Sequence, residues 1–199
     1  DTDAVERMMI QYGTSFAYPI SSIGAHVSAC PNHQLKRMTP LNTRFNVACF
    51  GAFGYEMDLS KLSKEETEEI KQQVIFMKQY RHLIQYGTFY RLVSPFAGNT
   101  MAWMVVSSDQ KHAIVGYYKI LQSVMAPFQR LYLQGLDPDK KYRINASKEG
   151  LYGDELMSCG MVVSDASCGE NEEVYNGRNG DFQSHLYVLE SEDESDEKI

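Results

Sequence analysis

The chain lacks any long apolar run: no stretch approaches the ~18 consecutive apolar residues that a membrane-spanning helix requires. Membrane insertion is therefore not expected. Cysteine is scarce, with four in 199 residues. Cys30, Cys49, Cys159 and Cys168 show neither CxxC nor Cys/His metal spacing, so no structural zinc site or dense disulfide framework is expected. They read as free thiols of a reducing compartment, which points to the cytoplasm. Lys and Arg number 19 against 26 Asp and Glu. That balance leaves no basic footprint for nucleic acid. No residue spacing implies a metal or an organic cofactor, and no repeat of solenoid length occurs.

What is present divides near Gly87. Before it the apolar spacing is helical, with short apolar runs between. Asp1, Thr2 or Asp3 can cap a helix carrying Val5, Met8, Met9 and Tyr12 that stops by Pro19. Residues 23–28 read as a short buried strand, 43–50 as a helix and 55–59 as another strand. Ser63 and Glu66 have the capping-box spacing, followed by Ile70, Val74, Met77 and Ile84 on one face of a long amphipathic helix. Gly87 is its expected C-cap. Two strands with three helices cannot bury both faces of a parallel sheet, so this part reads as the closing portion of a larger barrel or sheet.

After Gly87, short strand candidates follow one another at 89–93, 101–107, 113–120, 130–133, 141–144 and 184–189. Turn residues separate several of them, at Gly98-Asn99, Ser108-Asp109 and Asp137-Pro138-Asp139. The run from Gly150 through Glu155 reads as a loop or short hairpin. Six or more closely spaced strands with no helical pattern suggest an antiparallel sandwich. The fold class expected from these patterns is α+β in two parts: 1–87, the closing portion of a larger α/β barrel or sheet; 88–190, an antiparallel β-sandwich; then 191–199, an acidic disordered tail.

Several chemistry-bearing residues have plainer explanations. Phe89, Trp103, Tyr117, Tyr118, Tyr132 and Tyr187 are placed on strands as core and cross-strand packing, with Met101, Met104 and Met125 as filler. Asp154 and Glu155 are adjacent, so on a strand they would face opposite ways and make a poor acid/base couple. Asn145-Ala146-Ser147 fits the glycosylation sequon, a pattern common by chance. His26, Asn32 and His33 lie in and after the first strand, where a barrel builds its site at strand C-termini.

The collinear stretches DTDAVERMMIQYGTSFAYP, GAHVSACPNHQ, TRFNVACFGAFGYEMDLS, YRHLIQYGTFYRLVSPF and AWMVVSSDQKHAIVGYY, then residues 133–142 and YGDELM, resemble the C-terminal portion of family 36 α-galactosidases. The resemblance extends to about Leu189. It implies a (β/α)8 catalytic barrel behind an N-terminal β-domain and ahead of a C-terminal sandwich. It also implies hydrolysis of terminal α-galactosides such as melibiose and raffinose with retention, by a nucleophilic and an acid/base carboxylate. The family's Lys-Trp-Asp-type nucleophile motif has no match here. In its Ser-Asp-(Asp or Asn)-Thr-Asp motif, Asp1 takes the third place, so the proton donor falls one residue before Asp1. Asp1 itself is the catalytic candidate only if that register moves by one.

The expectations that follow are an upstream barrel and N-terminal β-domain as partners, no cofactor, a homo-tetrameric parent enzyme, and an inactive chain when isolated. His26, Asn32 and His33 are the candidate substrate-binding residues. The alternative is a non-catalytic carbohydrate-binding or assembly module.

Overall fold

The computed structural model describes residues 1–123, 129–163 and 180–192. Cys168, Met125 and the acidic residues 193–199 lie outside the described residues.

The N-terminal part alternates helix and strand. Helix α1 (Ala4–Thr14) starts at Asp3, whose carboxylate accepts from the Val5 and Glu6 amides, the usual way an acid satisfies free N–H groups at a helix start. Strand β1 (Gly24–Ser28) follows, then α2 (Leu41–Ala48), β2 (Ala52–Glu56) and the 23-residue α3 (Lys64–Tyr86). β1 and β2 pair in parallel, with Gly24 opposite Ala52 and Ser28 opposite Glu56. The expected strand at 55–59 is thus shifted to Ala52–Glu56, because Gly51 sits against Ala25 and the Ile23 carbonyl, where a Cβ would come within 2.7 Å of each. The pairing is fixed by that close approach, which an apolar count cannot see.

α3 carries the full capping box: Ser63 Oγ accepts from Glu66 N at 3.1 Å and Glu66 Oε2 from Ser63 N at 2.9 Å. Gly87 is the C-cap as expected, but with extended backbone rather than the left-handed turn. Glycine is needed there for space, since a Cβ would lie 2.5 Å from Val105 Cγ1 and 2.7 Å from the Val106 carbonyl.

The C-terminal part contributes β3 (Thr88–Val93), β4 (Thr100–Val106), β5 (His112–Lys119), β6 (Arg130–Leu131), β7 (Lys141–Ile144), β8 (Gly150–Tyr152), α4 (Gly153–Ser158), β9 (Met161–Val162) and β10 (Gln183–Ser191). Among the described residues, one antiparallel sheet runs β3-β4-β5-β10-β7-β8, and β6 and β9 form a small second pair. β10 extends to Ser191 and the Glu192 amide donates to the Lys141 carbonyl at 2.8 Å, so the expected boundary of the tail at 191 is corrected. The expected loop at 150–155 is instead β8 leading into α4, with Glu155 Oε2 accepting from Tyr152 N at 2.9 Å. Asp154 and Glu155 serve a helix start, not a strand.

The large sheet sorts its side chains by the two-residue period of a strand. Met101, Trp103 and Val105 on β4, with Ile114 and Tyr118 on β5, join the core formed by α1, β1, α2 and α3. Ala102, Met104 and Val106, with Val115 and Tyr117, face Leu131, Leu133, Leu156 and Met161 on the opposite side. Trp103 is buried and its Nε1 donates to the Tyr118 hydroxyl at 3.0 Å, so it is core. Tyr132 departs from the packing expectation: β6 ends at Leu131, and Tyr132 is 54% exposed.

Candidate functional site

The C-terminal end of β1 and the residues that follow it meet the start of α1. Asn32 is the organiser. Its amide donates from Nδ2 to Thr2 Oγ1 at 3.0 Å, and its Oδ1 accepts from the backbone N–H groups of Gln34 at 3.0 Å and Leu35 at 2.9 Å. Its backbone closes the turn, donating to the Arg37 carbonyl and accepting from Lys36 N. Asn32 is buried, and these bonds spend its side chain on holding the loop. His33 is exposed, with Nδ1 3.3 Å from Thr2 Oγ1. Asp1 is exposed too; its Oδ1 accepts from Asp3 N at 2.8 Å.

Of the residues singled out from sequence, Asp1, Asn32 and His33 are therefore brought together around Thr2. His26 is not part of that group. It lies mid-strand on β1, on the face opposite buried Ala25 and Val27, with Nδ1 4.0 Å from Glu56 Oε2. Gly54 across the pair leaves room for its ring, a Cβ there coming to 3.1 Å of His26 Cδ2.

Three arginines that the sequence reading passed over hold this arrangement. Arg7, buried in α1, donates to the Gln11 side chain at 3.2 Å, the Asp1 carbonyl at 2.9 Å and the Gly24 carbonyl at 2.6 Å. Arg44, buried in α2, donates to the Thr39 carbonyl at 3.0 Å and the Ser28 carbonyl at 2.6 Å. Burial pulls both guanidinium pKa values down from the ordinary arginine range; Glu56 opposes this at Arg7, and Cys30, Glu66 and Glu69 at Arg44. Both groups still donate to strand-end carbonyls, as a planar fork of fixed donors does. Arg37 Nη1 donates to the Asp3 carboxylate, which is itself buried, and lies 3.8 Å from Glu6 Oε1. One signal was available: Arg7 and Gln11 stand at helical spacing from Ala4 and Met8, on the apolar face of α1, and a charge there is expected to need partners.

Ser28, the last residue of β1, adds an unusual feature. Among the described residues its Oγ is buried with no hydrogen-bond partner. No group of three or more His, Cys, Asp or Glu placed to hold a metal ion occurs among the described residues.

Two family models match the chain: Melibiase over residues 1–87, and the glycosyl hydrolase family 36 C-terminal domain over residues 100–189. The chain belongs to glycosyl hydrolase family 36. It is 53% identical over 164 residues to α-galactosidase AgaA of Geobacillus stearothermophilus, covering 82% of this chain and 22% of that protein. Among solved structures, the α-galactosidase of Lactobacillus brevis superposes with a TM-score of 0.90 at 46% identity, over 98% of this chain and 26% of that one. A form of AgaA crystallised with raffinose superposes at 0.87 with 46% identity, over 96% and 25%. The chain thus spans about a quarter of the length of these family 36 relatives.

Within family 36, the mixed α/β part and the antiparallel sheet correspond to part of the barrel and the C-terminal β-domain of the α-galactosidase structures. No helix among the described residues is long and apolar enough to cross a membrane.

Proposed function

We propose that this chain supplies the closing portion of the catalytic barrel, residues 1–87, and the C-terminal sandwich, from residue 88 through β10, of a retaining α-galactosidase acting on galacto-oligosaccharides such as melibiose and raffinose. The observation that carries this reading is the seating of the Asp1-Thr2-Asp3 cap against the loop after β1. Barrel enzymes build their sites at the C-terminal ends of their strands, and here that end is held by Arg44, Asn32 and Arg37.

In this reading the nucleophile lies upstream and the proton donor immediately precedes Asp1, with Asp1 the candidate if the register moves by one. Protonation of the glycosidic oxygen accompanies attack of the nucleophilic carboxylate on the anomeric carbon; the same acid/base group then takes a proton from the water that releases galactose. Asn32 shapes the loop, exposed His33 presents its ring to the sugar or leaving group, and His26 lines the barrel interior. The enzyme works in the cytoplasm, a reading supported by the free thiols of Cys30, Cys49 and Cys159. It assembles as a homo-tetramer, which light scattering of the complete enzyme would check.

The test is a chimera in which these 199 residues replace the matching segment of AgaA. Release of galactose from raffinose is expected from the chimera and none from the 199 residues alone. A folded chimera without activity would overturn the reading, as would turnover by the isolated chain.

A further inference from the structure

The C-terminal sheet reaches the Asp1–Asp3 cap through one aromatic ring. Phe182, immediately before β10, has φ of +60°, a left-handed conformation that is an outlier for a bulky residue and persists only when its surroundings impose it. Those surroundings are visible. Phe182 N donates to the Ile120 carbonyl at 3.2 Å, the neighbouring Asp181 carboxylate accepts from Gln122 N at 2.7 Å, and Gln183 enters the ladder opposite Lys119. The ring packs on the core shared with α1 and α2, and the Arg37 guanidinium lies 5.3 Å from its centroid.

Arg37 in turn donates to the Asp3 carboxylate, which is only 2% exposed and also caps α1. Its carbonyl accepts from Asn32 N at 3.0 Å, so one residue ties the loop, the helix cap and the sheet. A guanidinium over an aromatic face is held by the ring quadrupole and loses freedom to swing away.

We propose that Arg37, fixed by Phe182, is a positioning residue for the general-acid step, so that the C-terminal β-domain sets the geometry of the proton donor. This rests on the α-galactosidase reading. Arg37 acts through Asp3: with the cap immobile, the residue before Asp1 enters the site along one path. Its proton goes to the glycosidic oxygen as the C–O bond breaks and the nucleophilic carboxylate bonds to the anomeric carbon. The leaving saccharide departs as a neutral alcohol.

Leaving-group dependence isolates that step. A basic leaving group such as the sucrose unit of raffinose needs the proton, whereas 2,4-dinitrophenolate departs without it. In the AgaA chimera, Phe182→Leu keeps the apolar volume and removes the π face. It should lower kcat/KM for raffinose roughly tenfold and leave kcat/KM for 2,4-dinitrophenyl α-galactoside nearly unchanged. Arg37→Gln should give a larger selective loss, roughly a hundredfold, and Phe182→Tyr, which retains the ring, should restore the parent ratio.

The ratio of the two kcat/KM values does not depend on the fraction of folded enzyme. Equal losses on both substrates, or no loss on either, would overturn the inference while the α-galactosidase reading stood. An unsubstituted chimera inactive on both substrates would overturn both.

Discussion

The two halves of this chain bury different chemistry. Ten of the thirteen buried polar side chains among the described residues lie before Gly87, including Asp3, Arg7, Arg44 and Asn46; after it come only Lys119, Gln183 and Ser184. The large sheet satisfies its backbone by its own ladder and fills both faces with apolar side chains. The α/β part spends side chains on backbone carbonyls and caps. Burying polar groups is costly unless each is paired, so the α/β part depends on specific hydrogen-bond partners where the sheet depends on its ladder and apolar packing.

The halves nevertheless share one core, and the sharpest way to break the contrast is at that junction. Trp103, buried between Phe50, Phe89 and Tyr118, belongs to the sheet but packs on the α/β side. Trp103→Ala should destabilise the purified chain by ~3–5 kcal/mol, with helix and strand signals lost in one transition. Two separated urea transitions would show that the halves are energetically independent.

Arg44→Met should act on one half only. Leaving the Ser28 and Thr39 carbonyls without their charged donor costs ~2 kcal/mol. The expected signature is faster amide exchange in residues 29–40, with β4 and β5 unchanged. Exchange that rises equally in the sheet would erase the distinction.

The junction has its own titration. Tyr118 is buried, its hydroxyl donates to the Asn46 carbonyl, and burial raises its pKa well above the usual tyrosine value. Cys49 beside it is likewise pushed up by burial. Both are acids whose neutral forms the fold prefers, so their contribution is fully present below the unfolded-state values, about 8.5 for cysteine and 10 for tyrosine. It is lost as pH rises beyond them. Melting temperature should fall above about pH 9, and Tyr118→Phe should reduce the part of that fall above pH 10 while costing ~1–2 kcal/mol at neutral pH. An unchanged pH slope in that variant would refute the assignment.

The smallest effect expected is at Ser28. Its Oγ is buried without a partner, so Ser28→Ala in the isolated chain should be neutral or stabilising by up to ~1 kcal/mol. A clear loss of stability in a denaturant melt would mean that the hydroxyl is paired after all.

Local signals explain how much of this was legible in advance. The capping box at Ser63 and Glu66, the helix start at Asp1–Asp3 and the alternation along residues 101–106 are short-range patterns, and each appears where its spacing places it. The site was legible only in part. Asn32 and His33 were marked by their place after a strand, but their meeting with Thr2 bridges about thirty residues. The arginines stayed hidden because a guanidinium in a sequence reads as surface until its carbonyl partners are known. His26 was grouped with Asn32 and His33, whereas the parallel register sets it opposite Gly54 in mid-strand, apart from the Thr2 cluster.

By itself the sequence determined the long helices, the main strands and the family, because caps, periodicity and collinear motifs are written in neighbouring residues. Only the tertiary structure decided that the final strand β10 enters between β5 and β7, carrying Ser184 to Thr43 and Asn46 and Phe182 to Arg37. Those contacts join residues about 140 positions apart. Their partners are selected by burial and sheet register, which belong to the folded chain as a whole.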